Sequence, residues 1–121
     1  MGWFSSKKSE SMLNWEHLSA NTNWNNLING NEWIIIFKHS PRCGISSMAL
    51  KQFEKEWIET ANVQLCLVDV VQERSFSQEI AKLTNVTHQS PQLILIKDGE
   101  TLHHASHHQI EANNVLKIIK E

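Results

Sequence analysis

Cysteine is scarce in this chain. Its 121 residues include two, Cys43 and Cys66, too few for the disulfide framework that staples small secreted domains. Long apolar runs are missing as well. Nothing approaches the ~20 apolar residues of a membrane helix, and residues 1–10 lack the apolar stretch of a secretion signal. Basic excess is also absent: 11 Lys and Arg stand against 13 Asp and Glu, scattered along the chain. That distribution gives no electrostatic footprint for nucleic acid. The remaining composition, 40% hydrophobic and 20% charged, is that of a globular domain able to bury its own core. A reducing cytoplasm is the expected compartment, with neither nucleic acid nor membrane as a partner.

The order of elements can be read from hydrophobic spacing. Residues 1–12, rich in Ser and Lys, read as a frayed polar arm, and a single domain covers 13–121. Two short patterns, Met1-Gly2 with Ser6 for myristoylation and Asn85-Val86-Thr87 for glycosylation, are common by chance, and neither is expected to be used. Leu13, Trp15 and Leu18 suggest a short edge strand, and residues 22–28 a helix closed by Gly30 in a left-handed cap. Trp33-Ile34-Ile35-Ile36-Phe37 is continuous rather than alternating, which predicts a central strand covered on both faces.

The next run predicts an amphipathic helix, with Ile45, Ala49, Phe53 and Trp57 recurring every four residues beside Met48 and Leu50. Ser40 as cap and Pro41 at the first helical position mark its start. Residues 63–70 form a further strand, and 77–83 a helix. Leu93-Ile94-Leu95-Ile96 then meets Asp98-Gly99, a two-residue hairpin signal, with residues 101–105 returning antiparallel. Ser106 with Gln109 suggests a capping box before a last helix that buries Ala112, Val115, Leu116 and Ile119. The string βαβαβαββα predicts an α/β domain of thioredoxin fold, a central mixed sheet flanked by helices.

Cys43 falls in the turn after the central strand, where open α/β sheets place their sites. A thiol attacks as thiolate, and the positive end of a helix favours that charged form. Arg42 and Lys38 add favourable charge, and Gly44 leaves room for an approaching sulfur. Ser46 stands where a dithiol enzyme would carry its second thiol; its hydroxyl can donate to the thiolate but cannot resolve a mixed disulfide. Cys66 lies mid-strand among apolar neighbours, a structural thiol roughly 10 Å from the strand end at 3.3 Å per residue. A disulfide needs Cα atoms within about 7 Å. Ser90-Pro91, just before the Leu93 strand, is equally compatible with cis and with an ordinary trans proline at a strand's first residue; the thioredoxin-like order of elements makes cis the expectation, with a backbone able to pair with a thiol substrate. The histidines at 103, 104, 107 and 108 are divided by the boundary at Ser106, so His103, His104, His107 and His108 are read as surface or site-rim residues with no metal.

Phe37-Lys38-His39-Ser40, Arg42-Cys43-Gly44-Ile45-Ser46, Ser90-Pro91-Gln92, Lys97-Asp98-Gly99 and Ala105-Ser106-His107 together resemble the YtxJ family of monothiol bacilliredoxins. The resemblance runs from about Trp15 to the C-terminus. It implies a thioredoxin-fold enzyme that acts on mixed disulfides between bacillithiol and protein cysteines. Cys43 matches the family's nucleophile and Ser90-Pro91 its cis-proline segment, while Ala105-Ser106-His107 matches a family sequence without an assigned role. Familiar members have proline after the cysteine; this chain has Gly44.

The expected function is therefore a monothiol thiol-disulfide oxidoreductase that takes bacillithiol or a similar small thiol from S-thiolated proteins. No cofactor is expected beyond the thiol co-substrate, and a reducing partner regenerates Cys43. Two alternatives stay open. Cys43-Gly44-Ile45-Ser46 is similar to the Cys-Gly-Phe-Ser of monothiol glutaredoxins, which carry iron-sulfur clusters, and a non-catalytic thioredoxin-fold binding module would use the same face.

Overall fold

A strand that is apolar at every position needs cover on both sides, and the arrangement of elements supplies it. The computed structural model describes residues 13–120; the polar arm expected over residues 1–12 lies outside them. In chain order the elements are β1 (Glu16–His17), α1 (Trp24–Ile28), β2 (Trp33–His39), α2 (Gly44–Glu56), β3 (Val63–Asp69), α3 (Arg74–Thr84), β4 (Gln92–Lys97), β5 (Glu100–Ser106), a 3-10 turn (His107–Gln109) and α4 (Ala112–Lys120). The sheet order is β1-β3-β2-β4-β5. β1, β2 and β3 run parallel, while β4 is antiparallel to β2 and β5 to β4. This is the predicted βαβαβαββα order, with β2 at the centre.

Side chains on a strand alternate between faces, so β2 feeds two cores. Ile35 and Phe37 join Leu67, Leu93 and Leu95 under α2 and α4, where Leu50, Phe53, Ala112 and Val115 close the layer. Ile34 and Ile36 join Cys66, Val68, Ile94 and Ile96 under α3, whose Phe76 and Ile80 face them, with α1 packed alongside. Each fully buried Ile or Phe contributes roughly 1.5–3 kcal/mol of transfer free energy. Trp15, Phe37 and Phe53 pack edge-on or tilted against one another with centroids 5.9 Å apart. The Trp15 indole N–H donates to the Glu54 carboxylate at 2.7 Å, which satisfies the polar tip inside the core.

Several boundaries differ from expectation. The first strand is only Glu16–His17, both exposed, while Trp15 and Leu18 on either side are buried. α1 begins at Trp24 with the Asn23 side chain accepting from the Asn26 N–H, and ends at Asn29 with φ −91°, so Gly30 forms no left-handed cap. α2 starts at Gly44, with Cys43 rather than Ser40 as its N-cap, and stops at Glu56. Its buried face is Ser46, Leu50, Phe53 and Glu54, whereas Ile45 and Met48 are 63% and 73% exposed. The reason is angular. Steps of four residues drift about 40° each around a helix, so a row that is covered at Phe53 has turned into solvent by Ile45.

α3 begins three residues earlier than predicted, and its end is closed by Asn85 in the left-handed region at φ 60°. The Asp98-Gly99 hairpin has φ 54° and 80°, the two positive values a type I′ turn requires. Ser106 precedes a 3-10 turn and makes no side-chain cap, so the expected capping box does not form. No helix among the described residues is long and apolar enough to cross a membrane.

Candidate active site

The carboxyl ends of β2 and β3 and the start of β4 meet at one end of the sheet, because β4 runs antiparallel to β2 with Lys38 opposite Gln92. Cys43 stands there in the loop between β2 and α2. It is a free, half-buried thiol whose backbone is extended (φ −104°, ψ 122°) and whose side chain makes no cap bond. Its N–H donates to the Ser40 carbonyl at 3.0 Å and its carbonyl accepts from the Ser47 N–H at 3.0 Å. These bonds seat the sulfur at the positive end of a thirteen-residue helix. A methyl added at Gly44 would meet nothing within 4 Å, so the space on that side is open. Arg42 is exposed in the same turn.

Ser46 corrects an expectation. It is fully buried, and its hydroxyl accepts from the Ser40 N–H at 2.9 Å and shares a 2.7 Å bond with His39 Nδ1. The hydroxyl thus ties the end of β2 to the first turn of α2 and fixes the loop that carries Cys43; it is a positioning residue rather than a solvated donor. His39 has no role of its own in the sequence reading, only a place in the Phe37-Lys38-His39-Ser40 motif. Its odd position on β2, the parity of Ile35 and Phe37, is the signal that it faces α2.

Lys38 also sits differently from the expectation of a nearby exposed charge. It is fully buried, its parity takes it to the face opposite α2, and its ammonium meets His88 Nδ1 at 3.0 Å. Burial pushes its pKa from 10.5 down to about 8. His88 is held below its ordinary value by burial first and by the Lys38 charge second.

The Ser90-Pro91 bond is cis. Three contacts brace the segment around it. The Gln92 amide donates to the Thr87 carbonyl at 2.9 Å and to Ser106 Oγ at 3.4 Å, and the His107 N–H donates to the Pro91 carbonyl at 3.0 Å. The Ala105-Ser106-His107 sequence is therefore structural, since His107, at φ 55°, turns its N–H onto the proline loop. Ser90 Oγ is buried without a partner.

Cys66 lies opposite Ile36 on β3, three residues before the strand ends at Asp69. It is completely buried. Burial and the charges of Glu16 and Glu32 push its thiol up to about 12, so it is protonated and inert at neutral pH. His103 and His104 are on β5, and His107 and His108 in the turn after it; burial, then the charge of His104, lowers the His103 pKa. Among the described residues no three His, Cys, Asp or Glu side chains converge as a metal site would require.

Comparison with known proteins agrees with this geometry. The family of the monothiol bacilliredoxin BrxC matches residues 16–115. A solved structure described as a candidate oxidoreductase with a thioredoxin fold is 34% identical, over 84% of this chain and 89% of that one, with a TM-score of 0.73. Two thioredoxins share the fold: mitochondrial thioredoxin 3 of Saccharomyces cerevisiae is 24% identical over 88% of this chain and 93% of its own, TM-score 0.66. Thioredoxin of Trypanosoma brucei brucei is 18% identical over 89% and 93%, TM-score 0.68.

Proposed function

The chain belongs to the monothiol bacilliredoxin family, and from that premise we propose that Cys43 removes a small thiol, bacillithiol foremost, from protein cysteines in a reducing cytoplasm. The observation that carries the reading is the separation of the two sulfurs. Cys43 is accessible at a helix start, while Cys66 is buried three residues down β3, roughly 10 Å below the strand end at 3.3 Å per residue. Bridging needs Cα atoms within about 7 Å, so one sulfur acts alone.

The chemistry follows from having one sulfur. The Cys43 thiolate attacks the small thiol's sulfur in the mixed disulfide; a Cys43–small-thiol disulfide forms, and the protein cysteine leaves as thiolate and takes a proton from water. Electrons balance without a cofactor. A second thiolate, from free small thiol or a reducing partner, then attacks the adduct and restores Cys43. Ser46 has no sulfur to contribute, and its hydroxyl is already committed to Ser40 and His39. Gly44 leaves the approach open, and the backbone around Ser90 and Pro91 is the expected contact for the extended substrate.

Intact mass after exposure to bacillithiol disulfide or glutathione disulfide tests the reading. One adduct per chain is expected, lost in Cys43→Ser and kept in Cys66→Ala. Absence of an adduct with both reagents, or an adduct that survives Cys43→Ser, would overturn it.

A further inference from the structure

Thiol exchange at Cys43 makes no use of a cavity beside the start of α3. It has a volume of about 320 Å³ and is lined by Val70, Val71, Arg74, Ser77, Gln78 and His88. One wall comes from the β3–α3 connection and the start of α3, the other from the loop that leads into Ser90-Pro91. The cavity therefore opens at the same end of the sheet as Cys43, on the face opposite α2. Its titratable lining is Arg74 and His88, with no acid among the lining residues.

The charges around it are unbalanced. Behind His88 lies the buried ammonium of Lys38, whose hydrogen bond to Nδ1 has one possible direction at neutral pH. An ammonium has donors only, so the imidazole accepts on Nδ1 and carries its own proton on Nε2. Neither Lys38 nor Arg74 forms an ion pair with a carboxylate among the described residues. The acids on the same connection are engaged elsewhere. Asp69 accepts from the Val71 and Gln72 N–H groups at 2.9 and 3.1 Å, and Glu73 accepts from the Ala20 N–H at 3.0 Å. A buried cation without a counter-charge costs several kcal/mol. A pocket lined by a guanidinium and an imidazole, with such a cation behind the imidazole, favours an anion.

The geometry points to this cavity as the seat of a carboxylate of the small thiol, held by the Arg74 guanidinium and the His88 Nε2–H with the Lys38 charge behind them. Arginine binds a carboxylate through two parallel N–H donors, which fixes orientation as well as charge. The assignment rests on Cys43 as the acceptor of the thiol and adds what the pocket at the same end of the sheet recognises. Discrimination among small thiols then lies in their carboxylates, at a distance from the reacting sulfurs.

The test measures the rate of Cys43 adduct formation by intact mass with three disulfides: bacillithiol disulfide and glutathione disulfide, which carry carboxylates, and bis(2-hydroxyethyl) disulfide, which carries none. Arg74 is exposed, so Arg74→Gln is expected to fold normally. It should slow both carboxylated reagents at least about tenfold, through loss of the charged fork, and change the neutral one by less than about twofold. Arg74→Lys should fall between, since it keeps the charge and loses the fork. Slowing only one carboxylated reagent would still place a carboxylate here and name its carrier. Equal slowing of all three, or no slowing of any, would overturn the cavity while leaving the Cys43 reading intact. No adduct from any disulfide on the unaltered protein would overturn both.

Discussion

Lys38 and His39 are successive residues on β2, and alternation sends them to opposite faces, where each secures a different loop of the same site. His39 meets Ser46 and steadies the loop that carries Cys43. Lys38 meets His88 and steadies the loop that leads into Pro91. The first contact belongs to a network in which the Ser40 N–H also finds its acceptor, and each such bond stabilises by roughly 0.5–1.5 kcal/mol net. The second buries a cation against an imidazole, with no ion pair to a carboxylate among the described residues. The first loop is held by something that favours folding. The second is held by something that opposes it, and a bound anion would offset that cost.

Substitution of Ser46, the partner of His39, and of Lys38 should therefore act with opposite signs. Ser46→Val is expected to have the largest effect. It removes the acceptor of the Ser40 N–H and the His39 bond, and forces extra carbon into a fully buried site. Those terms together cost about 2–4 kcal/mol, read as a lower midpoint in urea. A loss under about 0.5 kcal/mol would show that the network does not hold the loop.

Lys38→Met keeps the length of the side chain and deletes the charge, so it should raise stability at neutral pH by about 1–3 kcal/mol. The His88 pKa should move back towards its ordinary value, since the Lys38 charge is one of the two causes of its depression. Nuclear magnetic resonance titration of His88 reads that shift. A Lys38→Met variant less stable than the parent would mean that the bond to His88 outweighs the burial of charge, and the contrast with Ser46 would collapse.

The same contrast explains what the sequence could and could not disclose. The unbroken run from Ile34 to Phe37 announced a strand covered on both faces, and Asp98-Gly99 announced its hairpin, because apolar continuity and positive φ are properties of a few adjacent residues. Cys43 at a helix start was legible for the same reason, whereas the cis bond at Pro91 was even on its local sequence and legible only from the thioredoxin-like order of elements. Ser46 was not: its hydroxyl looks identical on paper whether it faces solvent or a buried histidine, and the choice depends on how far α2 is rotated about its axis. Lys38 read as a surface charge because lysine is almost never fully buried. Only the pairing of β2 with β3 and β4 on either side reveals that its position is interior. His107 had no readable role, since its work is done by a backbone N–H that any residue would carry.

The smallest effect is the most diagnostic, and it comes from titration. Lys38 is depressed from 10.5 to about 8. Below about pH 8 both folded and unfolded chains hold this proton and the full cost of burying the charge is present. Above it the folded chain loses the proton while the unfolded chain keeps it, so stability rises with pH, by at most about 1.4 kcal/mol per unit. Cys66 acts in the opposite sense. Its folded thiol stays protonated to about 12 whereas the unfolded one ionises from about 9, so above that pH the unfolded state gains and stability falls. The two slopes should nearly cancel between 9 and 10.5, which leaves a visible rise only between about 8 and 9. Urea midpoints measured across that interval should climb in the parent protein, stay flat in Lys38→Met, and continue climbing past pH 9 in Cys66→Ala. A rise that persists unchanged in Lys38→Met would assign the titration to another group and remove the buried cation from the account of the Pro91 loop.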